Sequence, residues 1–594
     1  MSTIPPYTYS KLDKAKQEIR LLSLQPSPSL DEPIRITITH VPFIVDDREL
    51  PARPKLDEVR RNLPYGWAAC ETLEGRLLFG HYHSGQNKWM STWKCPEGQT
   101  ELLPYLHDAP NETCEPAFEA LSYTWGSNAK IERAYVLNEA RIASDDITTE
   151  ATPCLRLDIT ENLADALRHL RYDNRPRMLW VDAISINQDD VSERSEQVLR
   201  MKDLYKHVDR VLVWLGPSSE DSSLALCILE YIGKQLEISL DMDLFPAPGA
   251  IEDSWHRPEY ALTYNAEVWD SLYDLISRPW FNRLWVTQEI HLTNSQAIIQ
   301  CGNVNVLWYF FRRGVQCLYS KPHGVPEHLS ARLKDIINLC IPSLDLTLGD
   351  LLQRYHDREC MDPRDRVYGL LGLASPSSTR NVTPDYSLST LEAYKSVFLG
   401  HASQSRRLEL LDLADSNNPL QEWPSWVPDW STLLKPEDDL CFGFCASVDS
   451  PACWNYSDPG ILKVVGVQIG TILHRLAVAG GISDLLSDTR PENKNLQYPT
   501  GENILDVYTR VRFRNIINET VHGDNSEITL TKARRLMLEN SNDTVKNIHF
   551  TRYLEETSER WIIRTSERYI GMAPRESKIG KLVKHLRLGI MYFQ

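Results

Sequence analysis

The chain of 594 residues lacks the long apolar runs and the leader that membrane and secreted proteins carry. No apolar stretch approaches the ~20 residues that a membrane-spanning helix needs. The first twenty residues, MSTIPPYTYSKLDKAKQEIR, contain no apolar core of the kind found in a secretory signal. We therefore expect an intracellular, cytoplasmic protein with no membrane span.

Basic residues are also fewer than acidic residues. The chain has 64 lysines and arginines against 81 aspartates and glutamates, which gives a net charge of −17 at pH 7. This balance argues against a chain-wide role in binding nucleic acid, because contacts to the phosphate backbone need clustered cations. With 42% hydrophobic and 24% charged residues, the composition is that of an ordinary globular chain, long enough for more than one core.

Several catalytic and metal-binding signatures are missing. No GxGxxG follows a predicted strand, and no Walker A, HExxH or GxSxG sequence occurs, so dehydrogenases, P-loop ATPases, zinc proteases and serine hydrolases have no support. The 12 cysteines are scattered and predict reduced thiols. The one cluster, Cys441, Cys445 and Cys453, lacks the fourth ligand of a structural zinc site. We expect neither a metal nor a bound cofactor.

The middle of the chain has a strand–helix–strand pattern. The apolar runs at 178–186 and 211–215 predict two strands, and the amphipathic helix between them predicts that they are parallel. Ligands of such sheets bind beyond the carboxyl ends of the strands. Asp182, Asn187 and Gln188 therefore become candidate substrate-binding residues. The alternative is that Asp182 caps a turn and that the two amides lock a loop.

A further strand is predicted at 121–125, within FEALSYTWG. Tyr123, Trp125 and Gly126 close it at its carboxyl end, which makes them candidates for contacting a substrate. Tyrosine and tryptophan also serve as core and hydrogen-bonding anchors, and that alternative stays open.

The segment RPWFNRLWVTQE (278–289) predicts a helix that begins at Pro279. Trp285 and Glu289 are four residues apart, so both are expected on one helix face. Glu289 is the candidate catalytic carboxylate, since a carboxylate below a ribose ring stabilises the positive charge of N-glycosidic cleavage. The alternative for Glu289 is an ion pair with Arg278 or Arg283 that stabilises the helix. Each of these arginines is expected to bind either a phosphate or a nearby carboxylate.

Taken together, FEALSYTWG, LWVDAISINQ (179–188) and RPWFNRLWVTQE resemble the signatures of the fungal heterokaryon-incompatibility (HET) domain. DPRDRVYGLLGLA (362–374), WPSWVPDWS (423–431) and RTSERYIGMAP (564–574) resemble the region that follows this domain in incompatibility proteins. The sequence departs from the family at Ser185, where many relatives carry cysteine, so no thiol nucleophile is predicted there.

The resemblance implies an α/β fold: a HET domain with a flavodoxin-like or TIR-like, mainly parallel sheet, followed by a mixed, largely helical C-terminal region. We predict a flexible tail over 1–17, the HET domain over 18–305 with an insertion at about 43–115, and a C-terminal α+β region over 306–594.

The implied function is that of an effector in fungal non-self recognition, which triggers growth arrest or programmed cell death by self-association or by binding a protein partner. Some TIR domains cleave NAD, and on that resemblance Trp285 and Glu289 fall on the catalytic segment. One alternative is therefore a TIR-like NAD glycohydrolase, with NAD as the substrate. Another is a family member in host defence or a gene cluster that has no incompatibility phenotype.

Overall fold

The computed structural model describes most of the chain. The described residues are 4–44, 56–83, 88–92, 117–126, 129–137, 154–343, 346–414, 423–431, 451–457, 460–477, 498–512, 560–574, 577–580, 582–586 and 591–593. Much of the predicted insertion, the polar stretch at 485–497, Cys441 and Cys445 lie outside them. The chain divides into two compact units, one of Met1–Leu344, Arg358–Leu373 and Pro384–Ser387, the other of Asp345–Asp357, Ala374–Thr383 and Leu388–Gln594.

The first unit is built on a nine-stranded sheet, counted over the described residues. In spatial order its strands are β14 (Val304–Leu307), β13 (Ile298–Cys301), β10 (Arg210–Trp214), β6 (Glu119–Tyr123), β9 (Arg177–Trp180), β1 (Glu18–Leu24), β2 (Ile34–Pro42), β7 (Ile131–Val136) and β8 (Leu155–Thr160). Strands β13, β10, β6 and β9 are mutually parallel, as are β2 and β7. The other neighbours pair antiparallel.

The parallel half of the sheet has a recognisable order. Taken in chain order, β6, β9, β10 and β13 stand in space as 2-1-3-4, the order of flavodoxin-like sheets. The two strands of the predicted strand–helix–strand unit are β9 and β10. Strand β6 lies between them and is parallel to both, so β9 and β10 are parallel to each other, as predicted. The α/β prediction is confirmed.

Helices cover both faces of this sheet, which is why its central strands are apolar on both sides. The helices of the first unit are α1 (Leu56–Asn62), α2 (Glu161–Leu170), α3 (Asp182–Ser185), α4 (Val191–His207), α5 (Ser222–Lys234), α6 (Ala266–Ile276), α7 (Trp285–His291), α8 (Trp308–Tyr319), α9 (Glu327–Ile336) and α11 (Asp365–Tyr368). Leu163, Leu167 and Leu170 of α2 pack on one face. Trp180 contacts Tyr205 of α4, with ring centroids 5.9 Å apart.

Two local predictions are wrong. The run at 178–186 is not one strand, because β9 ends at Trp180 and one helical turn, α3, follows. Val181 donates its amide proton to Ser185 Oγ at 3.2 Å, which stabilises that turn. The segment from Pro279 is not one helix either. A 3-10 turn, Pro279–Asn282, precedes α7, because Leu284 donates its amide proton to Glu359.

The backbones of helices α5 and α8 approach each other closely at two glycines. A Cβ atom at Gly233 would overlap the carbonyl oxygen of Phe310, and one at Gly314 would lie 2.6 Å from the carbonyl oxygen of Leu229. Real Cβ atoms do not approach backbone oxygens this closely, so both positions require glycine.

Smaller elements complete the first unit. Strands β3 (Trp67–Glu71), β4 (Leu77–His83) and β5 (Lys88–Thr92) form an antiparallel sheet, and β11 (Leu236–Ile238) pairs with β12 (Leu244–Pro246). Near the start of the chain, Tyr7 donates its amide proton to the carbonyl of Arg156 in β8, and Arg156 donates to Pro5.

The second unit contains both helices and strands. Its helices are α10 (Leu348–Arg354), α12 (Pro376–Thr379), α13 (Thr390–Ser405) and α14 (Ile504–Arg512). A two-stranded hairpin joins β15 (Trp454–Ser457) to β16 (Ile461–Val464), and a sheet orders β19 (Ile570–Pro574), β18 (Arg560–Thr565), β17 (Gly466–Ala477), β20 (Leu582–Leu586) and β21 (Met591–Phe593). The expected mixed region with helices is confirmed.

Candidate functional site at the carboxyl edge of the sheet

Three distant segments of the sequence meet beyond the carboxyl ends of β6 and β9. Trp125 donates its indole N–H to Asp182 Oδ2 at 2.8 Å, which joins the first segment to the second. Trp280 donates to Ser122 Oγ at 2.8 Å, and Arg283 donates to the carbonyl of Tyr123, which joins the third segment to the first. We call these residues, with Glu289 and Tyr205, the carboxyl-edge cluster.

Glu289 on α7 is the most unusual member of the carboxyl-edge cluster. Its side chain is buried, with 2% of the residue exposed, and no hydrogen-bond partner reaches its Oε2 atom. Ser122 hydrogen-bonds to the carboxylate, yet burial raises the pKa of Glu289 to about 7 against the opposing charge of Arg283. A carboxyl group with this pKa exists in both protonation states near neutral pH, as a general acid or base must.

Asp182 is the second carboxylate of the cluster. Burial raises its pKa, while the charge of Arg283 and the hydrogen bonds from Trp125, the Ala183 amide and Tyr123 oppose the rise. The negative charge of Asp182 in turn favours the protonated form of Glu289. The two carboxylates thus share the positive charge of one guanidinium group, Arg283.

Two arginines bond backbone oxygens at the crevice in which ligands of flavodoxin-like sheets sit. That crevice lies where the strand order reverses, between β6 and β10. Arg278 donates to the carbonyls of Leu215 and Pro217 at 3.0 and 2.9 Å and to Ser219 Oγ at 3.1 Å. Arg283 takes the carbonyl at the end of β6. Both guanidinium groups therefore bind backbone oxygens at the strand ends, and neither forms the ion pair with Glu289 that the sequence left open.

The remaining candidates beside Asp182 stabilise their loop. Gln188 donates its side-chain amide to the carbonyl of Asp182 at 3.1 Å, and the Asn187 backbone N–H donates to Glu193 Oε1 at 2.7 Å. Gly126 is exposed and has φ of 78°, so it turns the chain away from the end of β6.

Trp285 faces a different set of partners. Its indole N–H donates to Asp365 Oδ2 at 3.0 Å, and the other oxygen of Asp365 accepts from the Tyr386 hydroxyl at 2.5 Å. Burial raises the pKa of Asp365 to about 6 in spite of these two donors. The structure thus brings Tyr123, Trp125, Asp182 and Glu289 together, while the contacts of Trp285 lead to α11.

Sequence reasoning missed Ser122, Tyr205 and the role of Trp280. Ser122 is a small polar residue within a fully buried strand, and that mismatch was the available signal. Tyr205 is buried on α4, and burial, together with the charges of Glu289 and Asp182, raises its pKa well above the ordinary value. Its pattern in the sequence is that of an ordinary core position.

Within the described ranges, no group of three or more histidine, cysteine, aspartate or glutamate side chains has the arrangement of a metal site. None of the helices in the part of the chain that the structure describes has the length and apolar character to cross a membrane.

The fold and the carboxyl-edge cluster define an α/β domain with the strand order of flavodoxin-like proteins. Residues 118–289, which contain the whole cluster, match the family model described as Heterokaryon incompatibility protein (HET). These residues are therefore similar to a heterokaryon-incompatibility domain.

A search of characterised proteins gives a consistent result. The chain is 29% identical over 417 residues to Heterokaryon incompatibility protein 6, OR allele, of Neurospora crassa, and the match covers 60% of each protein. The chain thus spans less than two thirds of that relative. No solved structure matches the chain.

Proposed function

We propose that this chain is a heterokaryon-incompatibility effector, which arrests growth or kills the fungal cell when it associates with itself or with a partner protein. The observation that carries the proposal is the match of residues 118–289 to the HET family. That span includes β6, β9, β10 and the segment that closes their carboxyl ends, so the similarity extends over an assembled structural unit and not over a short motif.

The state of the crevice favours binding over chemistry. Arg278 and Arg283 occupy the strand ends at which a flavodoxin-like sheet holds its ligand, and Glu289 is 2% exposed. A domain whose strand-end oxygens are already bonded by its own arginines still offers its outer surface to another protein. The proposal therefore assigns signalling to association and assigns the buried cluster to holding the three segments in place.

The first experiment expresses the full chain from an inducible promoter in a fungal host and follows colony growth and uptake of a membrane-impermeant dye. We expect growth arrest or dye uptake on induction. The Glu289→Gln variant, which keeps the size of the side chain, should be as toxic as the wild type. Normal growth with abundant folded protein would contradict the effector role and would favour a family member without an incompatibility phenotype.

The second experiment measures association directly. Two differently tagged copies of the chain are expressed together and one is captured, while light scattering during gel filtration gives the mass of the purified protein. A complex of two or more copies, or a host protein whose capture tracks toxicity across variants, is expected. A monomer that kills without any captured partner would overturn the association mechanism.

A second candidate function is cleavage of NAD at the nicotinamide–ribose bond, with Glu289 stabilising the positive charge on the ribose. The observation that favours it is the unpartnered Oε2 atom of a carboxyl group whose pKa is about 7. Purified wild-type and Glu289→Gln proteins are incubated with NAD, and release of nicotinamide is measured. Release by the wild type alone supports catalysis, and release by neither contradicts it.

A further inference from the structure

Strand β8 is the edge strand of the nine-stranded sheet, at the end opposite β14, as far as the described residues show. Its strand neighbour in the sheet is β7, which pairs with it antiparallel. The other side of an edge strand presents backbone N–H and C=O groups that can pair with a further strand. Whatever lies on that side of β8 therefore controls whether the sheet can be extended.

The amino-terminal segment covers part of this edge. Pro6 forms a parallel bridge with Arg156 of β8. The Tyr7 backbone N–H donates to the Arg156 carbonyl at 2.7 Å, and the Arg156 N–H donates to the Pro5 carbonyl at 2.7 Å. Over the described ranges, these two are the backbone hydrogen bonds between the segment and β8. Pro5 and Pro6 have no N–H to donate, so the segment cannot form a full strand ladder here.

Two aromatic rings hold the segment in place. Tyr7 and Tyr9 are half-buried, whereas the residues beside them in the sequence are exposed. Tyr7 packs against the core of the first unit, and its ring centroid lies 5.0 Å from that of Tyr9. The Arg20 guanidinium lies 5.0 Å from the Tyr9 centroid and donates to the Ser10 carbonyl. Release of the segment would break these contacts and would leave every strand pair of the sheet in place.

Beneath this cover, the backbone of β8 can pair with a copy of itself. The N–H and C=O groups of Arg156 face the segment, and because this orientation alternates along an antiparallel strand, those of Asp158 point the same way. A second β8, antiparallel to the first and with the two Leu157 residues opposite each other, places Arg156 opposite Asp158 of the second copy. The same is true with the copies exchanged. Each such pair exchanges two backbone hydrogen bonds, so the second copy offers more bonds than the segment does.

The side chains match in this register as well. Arg156 and Asp158 lie on the outer face, where their side chains are 35% and 45% exposed and pair with each other at 3.1 Å within the strand. Across the two-fold axis they meet as two pairs of opposite charge. On the other face, Leu157 packs against the core and Leu155, 36% exposed, lies opposite Ile159 of the second copy. A parallel, in-register pairing would instead place like charges opposite each other, which is unfavourable.

We infer that the edge of β8 is a self-association surface, on which a second copy of this chain displaces the amino-terminal segment and pairs antiparallel about a two-fold axis at Leu157. Strand addition at a sheet edge is a common mode of protein recognition. A two-fold pairing uses the same edge of both copies and closes, so the product is a dimer and not a fibre. The inference rests on the proposed association and names the surface that performs it.

The first test measures the mass of the purified full chain by light scattering during gel filtration over a range of concentrations. We expect a dimer that forms as the concentration rises. Tyr7→Ser removes one of the rings that hold the segment, so the dimer should form at a concentration about tenfold lower, the usual effect of losing about one hydrogen bond with its packing. Hydrogen–deuterium exchange of peptides that cover 155–160 should be slower in the dimer than in the monomer.

Charge reversal tests the register. Arg156→Asp and Asp158→Arg each place like charges opposite each other at both pairs, so each should raise the dissociation constant of the dimer by about tenfold or more. The double variant Arg156→Asp/Asp158→Arg restores opposite charges and should return the dissociation constant to about the wild-type value. Lys206→Asp, which reverses an exposed charge on α4, is the matched control and should leave dimerisation unchanged.

Two results would overturn the inference. A dimer that neither single reversal weakens would associate through another surface, and the proposed association would then stand without this one. A monomer in both the wild type and Tyr7→Ser would exclude the β8 pairing, while toxicity together with capture of a host protein would still decide the proposed function. Far-ultraviolet circular dichroism and the melting temperature Tm show that each variant is folded. The charge reversals leave the contacts of Tyr7 and Tyr9 untouched, so they remain decisive if Tyr7→Ser is unstable.

Discussion

Two buried glutamates lie at opposite ends of strand β6 and behave in opposite ways. Glu119, 8% exposed at the amino end, accepts from Arg177 Nε at 2.5 Å and also pairs with Arg210. Burial alone would raise its pKa, but the two arginines lower it below the ordinary value. Glu289, next to Ser122 near the carboxyl end, has no ion-pair partner among the described residues, and burial raises its pKa to about 7.

The difference shows that burial alone does not set the direction in which the pKa of a carboxyl group shifts. The charged partners of the group decide that direction. The charges of Arg177 and Arg210 favour the ionised form of Glu119, which forms a buried ion pair that stabilises the fold. At Glu289 the nearby cation, Arg283, is also shared with Asp182 and donates to a backbone carbonyl. A poorly compensated carboxylate in a protein core lowers stability, and such groups concentrate at functional sites.

The largest effect is expected at Glu119. Replacing it with glutamine leaves Arg177 buried without a counter-charge, so we expect Glu119→Gln to lower the free energy of unfolding by about 4 kcal/mol at pH 8. Because the folded-state pKa of Glu119 is lowered, its stabilising contribution is present above the unfolded pKa of about 4.3 and is lost as the pH falls. Urea unfolding followed by tryptophan fluorescence measures the change.

The control for Glu119 is Glu161→Gln. Glu161 pairs with Lys130 on the surface, where their side chains are 46% and 70% exposed, so the variant should change stability by less than about 0.5 kcal/mol. If Glu119→Gln were equally neutral, the anchoring role of the amino-end cluster would be wrong.

The opposite sign is expected at Glu289. Its folded-state pKa is raised, so stability is highest below the unfolded value and falls as the pH rises through about 7. Glu289→Gln removes the titrating group. It should exceed the wild type in free energy of unfolding by about 1 kcal/mol at pH 5 and by up to about 3 kcal/mol at pH 8.

Urea unfolding of Glu289→Gln and the wild type at pH 5, 6.5 and 8 gives the difference at each pH. A variant that is less stable than the wild type at pH 8 would mean that the carboxylate has a compensating partner, and the contrast with Glu119 would fail.

A smaller effect is expected at Trp125. Trp125→Phe removes the indole donor from Asp182, whose ionised form then loses one hydrogen bond, so we expect a loss of about 1 kcal/mol at pH 8. The smaller side chain lowers the free energy of unfolding by the same amount at every pH. The contribution of the lost hydrogen bond becomes smaller at low pH, because Asp182 becomes protonated. Thermal unfolding over a series of pH values from acid to pH 8 separates the two contributions, and an equal loss throughout would mean that only packing changed.

Sequence reasoning recovered the parallel strands of the sheet and placed the residues that follow them at its carboxyl edge, and the reasons are physical. The buried runs around Leu121, Leu179 and Leu212 have the length and apolar character of parallel strands, and parallel strands bring their carboxyl ends to one edge. Asp182 follows directly from that rule. The i, i+4 spacing of Trp285 and Glu289 predicted a shared face, but it could not show that the Trp285 indole contacts Asp365.

The contacts of the arginines were not predictable from spacing. The sequence left Arg278 and Arg283 as partners of a phosphate or a carboxylate, and both donate to carbonyls at strand ends. Which backbone oxygens lack a partner depends on where β6 and β10 end, and a shift of one residue changes the answer. The ion pairs of Glu119 were missed for the same reason. Arg177 lies 58 positions after Glu119 in the sequence, and Arg210 lies 91 positions after it.

The close approach of α5 and α8, with Gly233 against the Phe310 carbonyl and Gly314 against the Leu229 carbonyl, has a consequence for a cavity beside it. Lys234 and Arg313 both line this cavity. Lys234 follows one of these glycines and Arg313 precedes the other, so the spacing of the two cations is set by a pair of residues that have no side chains of their own. A methyl group at either position would push the helices apart and spread the cations. We therefore expect the two glycines to stay fixed among relatives, while other residues that line the cavity vary.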